Sequence, residues 1–475
     1  FLSHKIPTKN IFLDGPFKPV SSERSVVCDI EGYIPRAVEG SIFTRIGPNP
    51  MFEPEGGYHL FDGDGVTHWV EFHRDIEGRL GATYHNRYIK TLKLKAEERA
   101  GRSLFMKVGD FSKPFALLKV MSSEFLQSVG MIPSIPKSHL SVANTNIVRH
   151  ASKTMALCES GLPYSIELSG SCLDTIGVES FGGFLQDSFT AHPKINPVDN
   201  KMYGFGSDGS RVITMYVFGA DGSPETRFNV KFREPVLMHD FAITSEHMLL
   251  LDMPLVYNMK LLCQGKIPVE FDPGYSSRIG VLDNNDTTGS SIRWFEVPGD
   301  PFMVSHVVNA YCDSGKITLV SCDMESMSLN DVCSSISVLH RTVIDLETGS
   351  VSREPILTHV DKSLDFPVIN KTKTGSKNKF AYVTEFKQGI PGDILKVNLE
   401  EDRIVASIKV GTGECTGECS FVPCGPEEDD GYILSFVTKG DTSSLKIWFA
   451  RDMSPVSSVN IPSRIPLGFH ANTLY

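Results

Sequence analysis

Apolar and polar positions alternate in short runs along the whole chain, and Gly, Pro and Asp-Gly signals break the runs every few residues. KITLVSC (316–322), HMLLLDM (247–253), GYILSFV (431–437) and SLKIWFA (444–450) are typical segments. Each is too short for a helix of ordinary length, and all but HMLLLDM are rich in β-branched or aromatic residues, so each predicts a strand. Turn signals at Asp221-Gly222, Asp313-Ser314-Gly315 and Asp429-Asp430-Gly431 recur with no alternation of strand and helix between them. That pattern predicts an all-β sandwich, barrel or propeller. At 475 residues a propeller is the economical choice, because blades add without enlarging one core. No low-complexity linker divides the sequence, so one domain over 1–475 is expected.

Two segments depart from this rhythm. In 111–132, Phe115, Leu118, Met121, Phe125 and Val129 recur every three or four residues, which predicts a helix. A second apolar patch, MPLVYNMKLL, covers 253–262. Both are expected to be helices inserted into the β body. They pack either against the sheets or, through Phe111, Phe115, Leu118, Met121, Leu255, Met259 and Leu262, against a lipid interface where an apolar substrate is collected.

Composition narrows the function. A net charge of −11 and no Lys/Arg cluster argue against a nucleic-acid partner, which requires a basic face. Ten cysteines lie scattered without a paired framework, as in a reducing compartment. Cys415, Cys419 and Cys424 offer three thiolates without a nearby fourth zinc ligand. No run is long and apolar enough to span a membrane. The expectation is an intracellular protein peripheral to a membrane, with plastid or cytoplasm undecided because the sequence begins at Phe1.

GYHLFDGDGVTHW (57–69) invites a metal or phosphate-loop reading. As a calcium loop it fails, since Val66 and Thr67 occupy the positions that need a ligand and a glycine. As a phosphate loop it lacks the glycine run and lysine. A hairpin turn with structural roles for His59 and His68 is expected instead. Of fourteen histidines, four stand in apolar strand-like contexts: His192 in SFTAHPK, His239 in LMHDFA, His306 in VSHVVNAY and His470 in PLGFHAN. Such imidazoles are costly to bury without partners, and separate blades could direct one each to a common axis. Spacing alone leaves a shared metal site and four separate structural histidines both open.

EGSIFTRIGPNP (39–50), GYHLFDGDG (57–65), SFTAHPK (188–194), MHDFAIT (238–244), EDDGYIL (428–434) and RIPLGFHA (464–471) resemble, in order, the signature blocks of the carotenoid cleavage oxygenases. FMKVGD (105–110) and SIRWFEVP (291–298) are similar to the plant carotenoid cleavage dioxygenase 1 group. The resemblance implies a seven-bladed β-propeller with a helical cap on one face and an axial non-haem Fe(II) held by His192, His239, His306 and His470. It also implies carboxylates orienting three of these: Glu159 for His239, Asp365 for His306 and Glu418 for His470. Asp365 departs from the Glu common there. Ser305 and Cys312 depart from the Phe and Glu usual in the dioxygenase 1 group. The implied reaction is cleavage of a polyene C=C bond by O2 into two carbonyl products. The substrate would be a carotenoid or apocarotenoid, with no side chain needed as acid or base.

Alternatives are an apocarotenoid-specific oxygenase similar to zaxinone synthase, a stilbene-cleaving oxygenase, or a propeller that binds an apolar ligand without chemistry. Stilbene-cleaving members place Lys where Cys158 stands, which favours the polyene. The scissile bond and the oligomeric state are left open.

Overall fold

The computed structural model describes residues 10–54, 57–74, 77–112, 122, 125–360 and 362–475. Seven antiparallel sheets form the seven blades of a β-propeller. Blades two to six keep their strands in chain order, the second beginning at Asn146–His150, the third at Lys194–Ile195 and the fourth, which is interrupted by a separate two-stranded hairpin, at Ala242–Ile243. The fifth begins at Met303–Asp313 and the sixth at Ser363–Val368. The four apolar runs singled out in the sequence are strands: His247–Asp252, Lys316–Met324, Gly431–Lys439 and Thr442–Phe449.

Burial explains why the strands read as they do. Lys316–Met324, flanked by other strands, is buried on both faces from Ile317 to Asp323, so its apolar residues do not alternate with an exposed polar face. Cys172–Val178 at a blade edge alternates exposed and half-buried positions. The cores lie between blades. Tyr382 and Ile394 of the sixth blade, for instance, pack with Phe421 and Ile433 of the seventh.

Both ends of the chain close the ring. Asp29–Gly32 pairs with Pro455–Ile461 and completes the seventh blade from the N-terminal side. Ala471–Leu474 pairs with Ile42–Pro48 and supplies the innermost strand of the first blade. Two strands from opposite ends of the sequence thus clasp neighbouring blades.

The expected inserted helices are only partly found. In 253–262, Leu255–Tyr257 is a strand paired with Val269–Phe271, and Met259–Gln264 is a 3-10 segment. The helix expected there is therefore corrected. Asn258 caps the 3-10 segment and Gly265, at φ 66°, ends it. In 111–132, residues 125–128 are helical, while Phe115, Leu118 and Met121 lie outside the described residues. A nine-residue α-helix, Leu92–Ala100, starts at Thr91, whose hydroxyl accepts the Leu94 N–H, and stops at Gly101. Among the described residues no helix is long and apolar enough to cross a membrane.

The hairpin expected in 57–69 is also corrected. Leu60–Asp62 is a 3-10 turn capped by His59, and Gly65–Arg74 is a strand. Gly63 and Gly65 do not have the positive φ of a hairpin turn. A Cβ on Gly63 would come 2.5 Å from Asn49 N, and one on Gly65 would come 2.2 Å from Ala143 O. These glycines serve close backbone approach. Asp62 accepts the backbone N–H groups of Val108 (2.5 Å) and Gly109 (2.8 Å), and Asp64 pairs with the buried Lys93 at 2.9 Å. His68 meets Tyr84 Oη at 2.8 Å. The stretch is a structural junction.

Candidate metal centre

His192 and His239 lie just before the first strands of the third and fourth blades. His306 lies within the first strand of the fifth, and His470 immediately before the closing strand Ala471–Leu474. These strands surround the propeller axis, so residues far apart in the chain converge. One ring nitrogen from each of the four lies within 4.8 Å of the others. Nε2 of His239 is 3.1 Å from Nε2 of His192 and 3.3 Å from Nε2 of His306. The rings stand edge to face, 4.5 Å between the centroids of His192 and His470 and 5.0 Å between His306 and His470.

Three carboxylates hold the outward nitrogens of three of these rings. Asp365 Oδ1 accepts from His306 Nδ1 at 2.7 Å, Glu418 Oε1 faces His470 Nδ1 at 3.1 Å, and Glu159 pairs with His239 Nδ1. The second Glu418 oxygen accepts the Ala471 N–H at 2.6 Å, fixing the residue after His470. Glu159 lies in the second blade, Asp365 in the sixth, and Glu418 just before Ser420–Pro423 of the seventh. Every blade therefore contributes one of these seven residues. The shorter Asp365 reaches His306 directly.

Local irregularity aims the side chains. The pairing of Met303–Asp313 with Lys316–Met324 slips on either side of His306, and a further slip follows Asp365. Phe366, next to Asp365, has φ 51°, an unusual conformation for a bulky residue. Its ring packs 5.7 Å from His306 and 5.5 Å from His470 by centroids. No sequence pattern singled out Phe366.

Electrostatics set two of the imidazoles apart. Burial, then His470 and the other two histidines, hold His192 well below its ordinary pKa. Burial also opposes charge on His239, but Glu159, with help from Asp240 and Asp365, outweighs it and the pKa is raised. For Asp365, burial pushes the carboxyl up and His306 more than offsets it, so the group sits below its usual value. With the Nδ1 protons of His239, His306 and His470 directed at carboxylates, these rings in their neutral form turn Nε2 lone pairs toward the axis. Facing acceptors repel unless a cation lies between them. Metal–imidazole bonds of about 2.1 Å place adjacent nitrogens about 3 Å apart, close to the separations here. The residues fit a divalent ion.

Sequence reasoning also missed Asp240 and Lys194. Lys194 Nζ pairs with Asp240 Oδ1 at 2.7 Å, and Asp240 Oδ2 accepts the Val307 N–H at 2.8 Å. The adjacency of Asp240 to His239 in the sequence was the available signal.

A cavity of about 530 Å³ opens onto His239, His306 and His470. Its wall is mostly apolar and includes Phe61, Phe111, Phe205, Leu255, Met303, Phe366 and Phe386, with no Lys or Arg among its described residues. Cys158 and Ser305 also line it. Of the residues expected at a membrane or substrate-access surface, Phe111 and Leu255 line the cavity. Leu255 and Leu262 are buried, and Met259 is exposed. Cys415 and Cys419 are buried, Cys424 is exposed, and they do not form one of the metal-capable groups among the described residues.

A β-propeller with four imidazoles on its axis and an apolar chamber ending on them defines a class of candidate metalloprotein. The profile of the family described as retinal pigment epithelial membrane protein matches residues 17–472, and the chain belongs to this family, the carotenoid cleavage oxygenases. It is similar to the carotenoid 9,10(9',10')-cleavage dioxygenase 1 of Arabidopsis thaliana, with 34% identity covering 97% of this chain and 89% of that one. Among solved structures, a Pseudomonas brassicacearum lignostilbene dioxygenase superposes with a TM-score of 0.84 at 22% identity over 98% of both chains. A Synechocystis apocarotenoid oxygenase superposes with a TM-score of 0.81 at 23% identity over 97% of both.

Proposed function

We propose that the protein is an Fe(II)-dependent dioxygenase that cleaves one C=C bond of a carotenoid or apocarotenoid with O2, giving two carbonyl products. The observation that carries this reading is the apolar chamber ending on His239, His306 and His470. Kinship with a plant carotenoid cleavage dioxygenase over nearly the whole chain supports the same substrate class. His192, His239, His306 and His470 would hold the iron, and imidazole donors suit Fe(II). Bound there, Fe(II) supplies the O2 activation that a closed-shell alkene otherwise lacks.

The protein's own part is binding and orientation. Glu159, Asp365 and Glu418 fix the histidine rings. Phe366 covers one side of the His306–His470 pair, and the chamber wall aligns a polyene and excludes water. Tyr257 lines the chamber as a neutral phenol, its pKa pushed up to about 12 by burial and Glu159. A chamber whose described residues include no Lys or Arg favours an apolar polyene over a phenolic stilbene.

Docking on a lipid interface belongs to the same proposal. Phe125, Val129, Met131 and Met259 are exposed large apolar residues, and Phe111, in the same 111–132 segment, lines the chamber. Substituting Phe125→Asp and Met131→Asp together reduces liposome association if that surface docks; unchanged association overturns the docking.

The test of function is incubation with β-carotene, a long-chain apocarotenal and resveratrol, followed by identification of the aldehydes and measurement of bound iron. Stoichiometric iron with carotenoid-derived aldehydes is expected. Cleavage of resveratrol alone would transfer the assignment to stilbenes, and absence of iron after anaerobic reconstitution would favour a binding protein. His306→Ala should lose iron and cleavage together.

A further inference from the structure

The geometry points to a second metal site, at the interface of the fourth and fifth blades, that takes Zn(II) through Glu246, His247 and Cys312. One ligand atom of each lies within 4.8 Å of the others. Glu246 and His247 belong to the turn joining Ala242–Ile243 to His247–Asp252, and Cys312 lies near the end of Met303–Asp313. The donors thus come from two blades.

The turn is built to hold its two donors. Thr244 N–H donates to His247 O at 2.7 Å, and Thr244 Oγ1 accepts the N–H groups of Glu246 (3.1 Å) and His247 (2.9 Å). Oγ1 also lies 3.3 Å from His247 Nδ1, which restrains the ring. On the other strand, Ser314 and Gly315, at φ 51° and 76°, turn the chain back immediately after Asp313. Cys312 and His306 are six positions apart on one strand, so about 20 Å separates this cluster from the axial histidines.

The donor set selects the ion. Thiolate and imidazole favour Zn(II) over harder cations, and three protein ligands leave a position for water. The field is suitable as well. Burial, then Glu246, and also Asp313 raise the Cys312 thiol, so without an ion it keeps its proton. A divalent cation offsets that negative field and stabilises the thiolate as the proton leaves to solvent. Burial lowers the His247 pKa, which keeps the ring neutral and able to coordinate. None of this depends on what the axial site holds.

Cobalt distinguishes the two sites. Co(II) bound to a thiolate has a sulfur-to-metal charge-transfer band in the near ultraviolet, which an all-histidine centre cannot produce. Titration of the purified protein with Co(II) should give one equivalent of that band. Zn(II) should bleach it, Cys312→Ser should abolish it, and His247→Ala should weaken Co(II) binding at least tenfold. Axial iron content should stay unchanged in both variants, which also establishes that they fold. Absence of the band, or a band that survives Cys312→Ser and is lost instead when exposed Cys172 or Cys263 is replaced, overturns the proposal.

Discussion

Asp240 follows the axial His239 directly and accepts, at 2.8 Å, the N–H of Val307, the residue following the axial His306. One carboxylate thereby sets the relative height of two converging strands. Its other oxygen holds Lys194, two residues beyond His192. Replacing Asp240 with Ala leaves Lys194 unpaired in a mostly buried site. The expected loss is about 3 kcal/mol of stability, measured by urea unfolding, together with reduced iron retention.

Asp365 acts on His306 from behind. Asp365→Ala should weaken iron binding by about 10- to 100-fold, the usual effect of removing a carboxylate that orients a metal-bound imidazole. Asp365→Glu should recover part of it. Residual iron after dialysis against a chelator measures both.

Acid should destabilise the fold through histidines outside the centre. Burial holds His68 well below its ordinary pKa and, with Arg87, lowers His85 to about 4. In the unfolded chain both titrate near 6.5. Between the folded and unfolded values the unfolded state binds more protons, so stability rises with pH across that window and is lost on acidification. The unfolding free energy should therefore fall between pH 7 and pH 5, and His85→Gln should flatten the slope.

Phe366 is expected to control the outcome of cleavage more than metal binding. Phe366→Ala should keep full iron, because the ring donates to nothing, yet lower turnover by about tenfold by leaving space beside His306 and His470. A changed ratio of aldehyde products, resolved by chromatography, checks it. Loss of iron instead would make the ring a support for the histidines.

The strands were legible because short apolar-rich runs bounded by turn residues are too brief for ordinary helices, as in Lys316–Met324, which is buried on both faces. The four histidines were individually conspicuous but could not be grouped by spacing, since blades separate them by scores of residues while the axis unites them. Only the ordered family blocks supplied the set. MPLVYNMKLL misled for a physical reason: Leu255 is apolar because it faces the chamber from a strand, whereas Met259 is exposed on a short 3-10 segment, so the run does not mark one helix face. The Asp-Gly pairs misled similarly, their glycines answering crowding from Asn49 and Ala143 instead of a positive φ. The chamber was invisible because its wall draws on nearly every blade.

The closing strand Ala471–Leu474 adjoins His470, so sealing the ring and assembling the histidine cage are a single event. A nascent chain on the ribosome carries His192, His239 and His306 long before it can oppose them with the fourth ring. Until Ala471–Leu474 has been made and docks on Ile42–Pro48, the cage has an open side. Completion of the four-histidine cage thus waits until synthesis has passed His470, and a chain truncated before that point cannot form it.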